Sequence, residues 1–272
     1  MGYLTTEKKK VTVKTFVEMK RDGNKIAMLT AYDYTTARLI DEAGVDSILV
    51  GDSASNVMLG NDSTLPITLD EMIVYARGVA RGCQLALVVC DMPFGSYQVS
   101  PEEGVRNAVR LIRETGVDAV KLEGGEEVAP TIERIVNAGI PVVGHLGLTP
   151  QSIHKFGGYG VRARSEVEAT KLIADAQALE KAGCFAVVLE KIPASVAQQV
   201  TDLLSVPTIG IGAGSHCDGQ VLVYADAMGL TQGFEPKFLR EFAAMGEELR
   251  RGVRAYCEAV KGDEFPNESE SY

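Results

Sequence analysis

The sequence is poor in several residue types, and each shortage excludes a class of protein. It contains no tryptophan, three histidines and five cysteines among 272 residues. The cysteine count is odd and no CxxC spacing occurs, so reduced thiols are expected rather than a disulfide framework. No apolar run reaches the roughly 18 residues of a membrane helix, and the polar N-terminus does not match a secretory signal. We therefore predict a cytoplasmic protein with no membrane partner.

Positive charge is also scarce. The chain has 27 lysines and arginines against 37 acidic residues, a net charge of −10, and its one basic run covers residues 8–10. Nucleic-acid-binding proteins usually carry a basic patch or stripe, so no nucleic-acid partner is expected. Apolar residues, in contrast, make up 46% of the chain. This proportion is enough to bury a large core in one domain.

Short apolar runs alternate with longer helical patterns along the chain. Seven runs predict strands: Ile26–Thr30, Ser47–Gly51, Ala86–Cys90, Ala119–Glu123, Val142–Leu146, Ala186–Glu190 and Thr208–Ile211. The segments between them predict helices: Tyr34–Ala43, Leu69–Arg81, Pro101–Thr115, Val128–Asn137, Glu166–Ala182 and Ala194–Leu204. The strands are apolar on both faces, which is typical of parallel strands covered on both sides. The alternation therefore predicts an α/β fold with a parallel sheet.

A weak internal repeat supports this organisation. The segments EAGVDSILVGD, ETGVDAVKLEG and KAGCFAVVLEK each combine a helix end, a capping glycine and a strand. The repeat fits a doubly wound sheet or a (β/α)8 TIM barrel, and the strand count favours the barrel. We place the eighth strand at Leu222–Met228 and a last helix at about 237–260. Residues 1–272 would form a single barrel domain, with an N-terminal helical extension over 1–22 and a flexible acidic tail over 262–272.

Polar residues end five of the predicted strands, where barrel enzymes carry their chemistry. These residues are Asp52 followed by Ser53, then Asp91, Glu123, His145 and Glu190. Two positions earlier, four of the strands have a valine that we expect to face the interior: Val50, Val89, Val143 and Val188. The fourth strand has Lys121 instead. A buried lysine needs carboxylates nearby, and the strand ends supply them.

Charge balance at this rim suggests a metal ion. Asp52, Asp91 and Glu123 carry three negative charges, which repel one another unless cations are present. Lys121 and a divalent cation such as Mg²⁺ would balance them, because carboxylate oxygens suit hard cations. Glu190 would remain free to act as an acid or a base. Taken singly, each acid could instead cap the following helix.

Several phrases resemble the ketopantoate hydroxymethyltransferase family. They include VGDS at 50–53, VKLEGGE at 120–126, GHLGLTPQS at 144–152 and IGIGAG at 209–214. The resemblance extends from about residue 26 to 240. It implies a TIM barrel of the phosphoenolpyruvate/pyruvate-like superfamily and a homo-decamer. It also implies Mg²⁺ and transfer of a one-carbon unit from the co-substrate 5,10-methylenetetrahydrofolate to 2-oxoisovalerate, giving 2-dehydropantoate.

The resemblance also implies roles for the polar residues that end the strands. Asp52, Asp91 and Glu123 would hold the metal, and Glu190 would accept a proton from the substrate. The 2-oxoacid would be bound by Ser53 and Lys121, with Asp52, Asp91 and His145 beside it.

Three alternatives remain open at this point. The chain could be another Mg²⁺ enzyme of the same superfamily, such as a 2-oxoacid lyase or decarboxylase. Lys121 could form a Schiff base, as in aldolases. The barrel could also be a binding or assembly protein without catalysis.

Overall fold

Eight parallel strands pair in chain order and close into a barrel. The computed structural model describes residues 9–272. The strands are β1 Ile26–Thr30, β2 Ser47–Val50, β3 Leu87–Asp91, β4 Ala119–Glu123, β5 Val142–Gly147, β6 Ala186–Glu190, β7 Thr208–Ile211 and β8 Gly219–Leu222. Because β8 pairs with both β7 and β1, the sheet has no free edge. The predicted TIM barrel is confirmed.

Helices lie between successive strands from β1 to β7, and others precede β1 or follow β8. In chain order they are α1 Val13–Arg21, α2 Tyr34–Ala43, α3 Ala54–Val57, α4 Leu69–Gly82, α5 Pro101–Thr115, α6 Ala129–Asn137, α7 Ile153–Phe156, α8 Glu166–Lys181, α9 Ala194–Leu203, α10 Tyr224–Ala227 and α11 Met245–Lys261. Local capping explains the boundaries: the Asp33 side chain accepts a hydrogen bond from the Thr36 N–H at the start of α2, and Gly44 ends that helix with φ of 92°. The six predicted crossover helices are confirmed to within one residue at each end.

The chain divides into two compact units, one ending at Leu222 and the other covering Val223–Tyr272. The first unit contains the barrel, and the second contains α10 and α11. The expectations of a single domain and of a flexible tail over 262–272 stay predictions.

Within residues 9–272, no helix has both the length and the apolar composition needed to cross a membrane. All five cysteines are free thiols.

The N-terminal extension forms a helix that packs against the beginning of the strands. Thr12 caps α1 through a reciprocal capping box with Thr15, which fixes where the helix begins. Phe16 is fully buried in the apolar cluster inside the barrel, with its ring centroid 5.9 Å from that of Phe185 in an edge-to-face contact. The helix begins at Val13, so residues 9–12 of the predicted extension are not helical. Residues 1–8 lie outside the described part of the chain.

The valines that the sequence predicts in the barrel interior are found there, except on one strand. Val89, Val143 and Val188 belong to the cluster inside the barrel, as predicted. On β2 that position is taken by Leu49, so the expectation for Val50 is wrong. The reason is that β2 ends at Val50, and Asp52 lies beyond the regular alternation of the strand.

Two predicted elements near the C-terminus are misplaced. The eighth strand is Gly219–Leu222, not 222–228, because residues 224–227 form α10. Gly219 is needed there since a Cβ atom would lie 2.5 Å from the Ile26 carbonyl oxygen. The last helix begins at Met245 rather than near 237, because Phe242, Met245 and Gly246 donate backbone hydrogen bonds to residues 227–229 instead.

Truncation of Phe16 tests how α1 contributes to stability. Phe16→Ala should lower the free energy of unfolding by about 3–5 kcal/mol, because it leaves a cavity under Phe185. Urea unfolding followed by circular dichroism measures the change. Val17→Ala on the same helix is the control, since Val17 is 38% exposed. A loss for Phe16→Ala as small as that for Val17→Ala would show that Phe16 does not contribute to the core.

Candidate active site

The polar residues at the strand ends come together at one end of the barrel. In the parallel register, Asp91 on β3 lies opposite Lys121 on β4, and Glu123 lies opposite His145 on β5. Asp52 joins them because its backbone N–H donates to Asp91 Oδ2 at 3.0 Å. All five residues are at least 95% buried. The prediction that these side chains converge is therefore confirmed, although their roles stay predictions.

Lys121 connects the acidic side of the site to His145. Its Nζ atom is 3.0 Å from Asp91 Oδ1 and 3.0 Å from His145 Nδ1. Because an ammonium group can only donate, Nδ1 must accept and the ring proton must be on Nε2. His145 Nε2 lies 3.3 Å from Glu190 Oε2. Burial, together with the nearby Lys121 charge, lowers the pKa of His145 and favours this neutral ring.

The carboxylates are crowded enough to hold protons that they would release in water. Burial raises the pKa of Glu123 to about 7, and the repulsion from Asp91 adds to the effect of burial. Burial and the charges of Glu123 and Asp91 likewise raise the pKa of Asp52. For Lys121, burial favours the neutral amine, but the three surrounding carboxylates outweigh it and raise the pKa above its usual value. Full ionisation of the three carboxyl groups would therefore give the cluster more negative charge than Lys121 alone neutralises.

Ser53 and Glu190 lie at the border of this cluster. The Ser53 hydroxyl is 2.7 Å from the Tyr32 hydroxyl. A Cβ atom on Gly51 would lie 2.7 Å from Ser53 Oγ and 3.7 Å from Asp91 Oδ2, so a side chain there would crowd both residues. The Glu190 side chain is 18% exposed, whereas that of His145 is 4% exposed. Glu190 is thus the carboxylate of the site that solvent and small molecules reach most easily.

Two buried residues of the site were missed by the sequence analysis. Gln151 donates from its backbone N–H to Glu123 Oε2 and from its side chain to Asp52 Oδ2, both at 2.9 Å. Tyr97 donates to Gln151 Oε1 at 2.7 Å. Gln151 stands in the GHLGLTPQS phrase just after β5, at the same barrel rim as His145. This position after β5 could have indicated that Gln151 belongs to the site, whereas nothing in the sequence around Tyr97 indicates its role.

The donor atoms fit a hard divalent cation. Asp91 Oδ1 and Glu123 Oε1 are buried and have no hydrogen-bond partner in residues 9–272, since the Lys121 contact to Asp91 is close but poorly aligned. Within the same residues, no three His, Cys, Asp or Glu side chains are arranged as a ready metal site. Mg²⁺ is commonly held by only one or two carboxylates together with water and substrate. The chemistry of the donors therefore fits Mg²⁺ without a complete protein cage.

Comparison with known proteins now assigns the chain to a family. The family model of ketopantoate hydroxymethyltransferase matches residues 10–268. The chain belongs to this family. A 3-methyl-2-oxobutanoate hydroxymethyltransferase of Flavobacterium johnsoniae is 59% identical over 97% of both chains. That of Bacteroides thetaiotaomicron is 56% identical over 100% of this chain and 99% of the relative.

Several solved structures have a fold similar to that of this chain. A 2,3-dimethylmalate lyase of the PEP mutase/isocitrate lyase superfamily has a TM-score of 0.58 and 18% identity, covering 94% of this chain and 89% of the lyase. A phosphonopyruvate hydrolase has a TM-score of 0.61 and 12% identity, covering 95% and 89%. These similarities support the fold alone. The ketopantoate hydroxymethyltransferase relatives identify the chain as a hydroxymethyltransferase, and hence as an enzyme.

The raised pKa of Glu123 predicts a pH dependence of stability in metal-free protein. Between its usual pKa of 4.5 and about 7, the folded protein retains a proton that the unfolded chain has released. The resulting stabilisation is complete below pH 4.5 and is lost as the pH rises through 7. Relative to Glu123→Gln, wild-type protein should lose up to about 1.4 kcal/mol of unfolding free energy per pH unit in this interval.

Urea unfolding in EDTA at half-unit pH steps measures this difference. Glu133→Gln serves as the control because Glu133 is exposed on α6. Parallel pH profiles for wild-type protein and Glu123→Gln would contradict the raised pKa.

Proposed function

We propose that the chain transfers a hydroxymethyl group from 5,10-methylenetetrahydrofolate to 2-oxoisovalerate, giving 2-dehydropantoate for pantothenate synthesis. The reaction would use Mg²⁺ and an enolate formed by Glu190. The names of the relatives support the transferase activity and the 2-oxoacid. The observation that carries the finer proposal is the position of Lys121, buried between Asp91 and His145 with Glu190 on the far side of the imidazole.

Asp52, Asp91 and Glu123 are the proposed ligands of Mg²⁺. The support is the grouping of three buried carboxyl groups around one ammonium group, together with Glu123 Oε1, which has no hydrogen-bond partner among residues 9–272. When bound, Mg²⁺ would supply positive charge that favours the electron-rich enolate over the keto acid.

The remaining residues would bind the substrate and move its proton. A 2-oxoacid carries a negative charge, which the Lys121 ammonium and the Ser53 hydroxyl would attract. Glu190 would take the proton from C3, leaving the electron pair that forms the new carbon–carbon bond to the methylene group of the folate. Both bonds from that carbon to the two folate nitrogens break, and water supplies the hydroxyl oxygen. The nitrogens take up two protons, one from the water and the one removed from C3. His145 would orient Glu190 by directing its Nε2 proton towards that carboxylate.

The Schiff-base alternative is disfavoured by the state of Lys121. A lysine must lose its proton to attack a carbonyl carbon, but the surrounding carboxylates raise the pKa of Lys121. The lyase alternative is disfavoured by the identity to hydroxymethyltransferases over nearly the whole chain. Cytoplasmic location, a homo-decamer and the absence of nucleic-acid and membrane partners stay predictions.

Turnover of 2-oxoisovalerate with 5,10-methylenetetrahydrofolate tests the proposed function. Wild-type protein should form 2-dehydropantoate, lose activity in EDTA and regain it with Mg²⁺. The double substitution Asp52→Ala, Asp91→Ala should abolish the metal-dependent activity, because it removes two proposed ligands. Asp202→Ala, which alters an exposed carboxylate on α9, should leave turnover unchanged. Metal-dependent turnover in the double variant would refute the proposed metal site.

Deuterium exchange tests the role of Glu190 separately from transfer. Wild-type protein in D₂O should exchange the C3 proton of 2-oxoisovalerate, as followed by NMR. Glu190→Gln keeps the size of the side chain but removes its basic oxygen, so exchange should fall by at least about 100-fold. Binding of the 2-oxoacid and of Mn²⁺ should persist in this variant. If Glu190→Gln exchanges the C3 proton as fast as the exposed control Glu133→Gln does, Glu190 is excluded as the base.

A further inference from the structure

Gln151 is the one residue of the described site that hydrogen-bonds to two of the three proposed metal ligands. It lies in the short 3₁₀ turn Pro150–Ser152 that follows β5, and it is 94% buried. Its backbone N–H donates to Glu123 Oε2 and its side-chain Nε2 donates to Asp52 Oδ2. One residue thus contacts carboxylates that come from opposite sides of the cluster, after β2 and at the end of β4.

The neighbours of Gln151 fix the orientation of its amide. The carbonyl oxygen Oε1 accepts from the Tyr97 hydroxyl at 2.7 Å and from Gln98 Nε2 at 3.0 Å. The amide nitrogen donates to Asp52 Oδ2 at 2.9 Å and to the Met92 carbonyl oxygen at 3.0 Å. These four contacts use both lone pairs and both N–H groups of the amide. A flipped amide would place its oxygen against two acceptors and its N–H groups against the Gln98 donor.

Tyr97 also helps to fix the Gln151 amide, through a contact to its carbonyl oxygen. Its hydroxyl accepts from the Glu123 backbone N–H at 3.1 Å and lies near two acceptors, Gln151 Oε1 at 2.7 Å and the Glu123 carbonyl oxygen at 3.1 Å. A hydroxyl has one proton, and the shorter of the last two contacts indicates that this proton goes to Gln151. Tyr97 therefore links the backbone of Glu123 to the amide that contacts Asp52.

We propose that Gln151 is a positioning residue that holds Asp52 and Glu123 in place for a divalent cation. It occupies one oxygen of each carboxylate, and Glu123 Oε1 is left without a hydrogen-bond partner among residues 9–272. The inference rests on the proposed function, because it requires that these carboxylates bind the cation. Gln151 itself contacts neither the substrate nor the ion in this arrangement, and Tyr97 acts through Gln151.

Mn²⁺ binding to protein freed of metal tests this role. Mn²⁺ prefers the same oxygen ligands as Mg²⁺ and is visible by electron paramagnetic resonance. Gln151→Met keeps the length of the side chain but removes both amide groups, so Asp52 loses its donor while the backbone N–H to Glu123 remains. Residues that orient metal ligands typically change affinity about 10- to 100-fold, and we expect a loss of this size. Gln84→Met, on an exposed glutamine, is the matched control.

Tyr97→Phe gives a second test in case Gln151→Met does not fold. It keeps the buried ring, removes the hydroxyl that fixes the amide, and should weaken Mn²⁺ binding by several fold. The two substitutions together should cost less than the product of their separate effects, because Tyr97 acts through Gln151. A purely structural role would lower the unfolding midpoint while leaving the affinity for Mn²⁺ unchanged.

The outcomes separate this inference from the proposed function. If wild-type protein binds Mn²⁺, and either folded variant binds it as tightly as Gln84→Met does, the positioning role of Gln151 is overturned alone. If wild-type protein does not bind Mn²⁺, or if the Asp52→Ala, Asp91→Ala variant binds it as tightly as wild type, the proposed metal site falls and the inference falls with it.

Discussion

The charge on Lys121 is the constraint on which the rest of the site depends. A lysine buried at 4% exposure in an apolar barrel would be strongly destabilising unless opposite charges surround it. Asp91 lies 3.0 Å away, and Asp52 and Glu123 complete the acidic environment. Burial and mutual repulsion raise the pKa values of Asp52 and Glu123, so these two acids ionise less readily than they would in water. The barrel thus contains three carboxyl groups around a single ammonium group, and their full ionisation needs a further positive charge.

Backbone geometry brings the last member, Glu190, within reach of this cluster. Gly147 ends β5 with φ of 93°, and a Cβ atom there would lie 2.2 Å from the Glu190 carbonyl oxygen. Only glycine allows this approach. The next residue, Leu148, donates its N–H to the same carbonyl oxygen at 2.8 Å. The contact fixes the ends of β5 and β6 together, and His145 Nε2 and Glu190 Oε2 lie 3.3 Å apart beside it.

Much of this arrangement can be predicted from the sequence. The spacing of apolar residues and the place of a polar residue at the end of a strand are both visible in a short stretch of sequence. The helices between strands and the convergence of Asp52, Asp91, Lys121 and Glu123 could be predicted, since parallel strands end at one rim. The eighth strand could not, because Gly219 is selected by its approach to β1 rather than by strand propensity. Gln151 was missed for a related reason: a single glutamine in a loop shows its partners only after folding.

Three carboxyl groups around one ammonium group give an electrostatic reason for a cation in the proposed reaction. A 2-oxoacid that binds near Lys121 adds one more negative charge to a cluster that already retains protons. Lys121 carries one positive charge and already lies 3.0 Å from Asp91, so it offsets the substrate charge only in part. Partial protonation of Glu123 would relieve the repulsion, but it would also remove the charge that a hard cation needs. A divalent ion would resolve both conflicts, because it would neutralise the carboxylates and attract the substrate anion. The buried lysine and the proposed metal site would then be parts of one charge balance, in which each supplies positive charge that the other lacks.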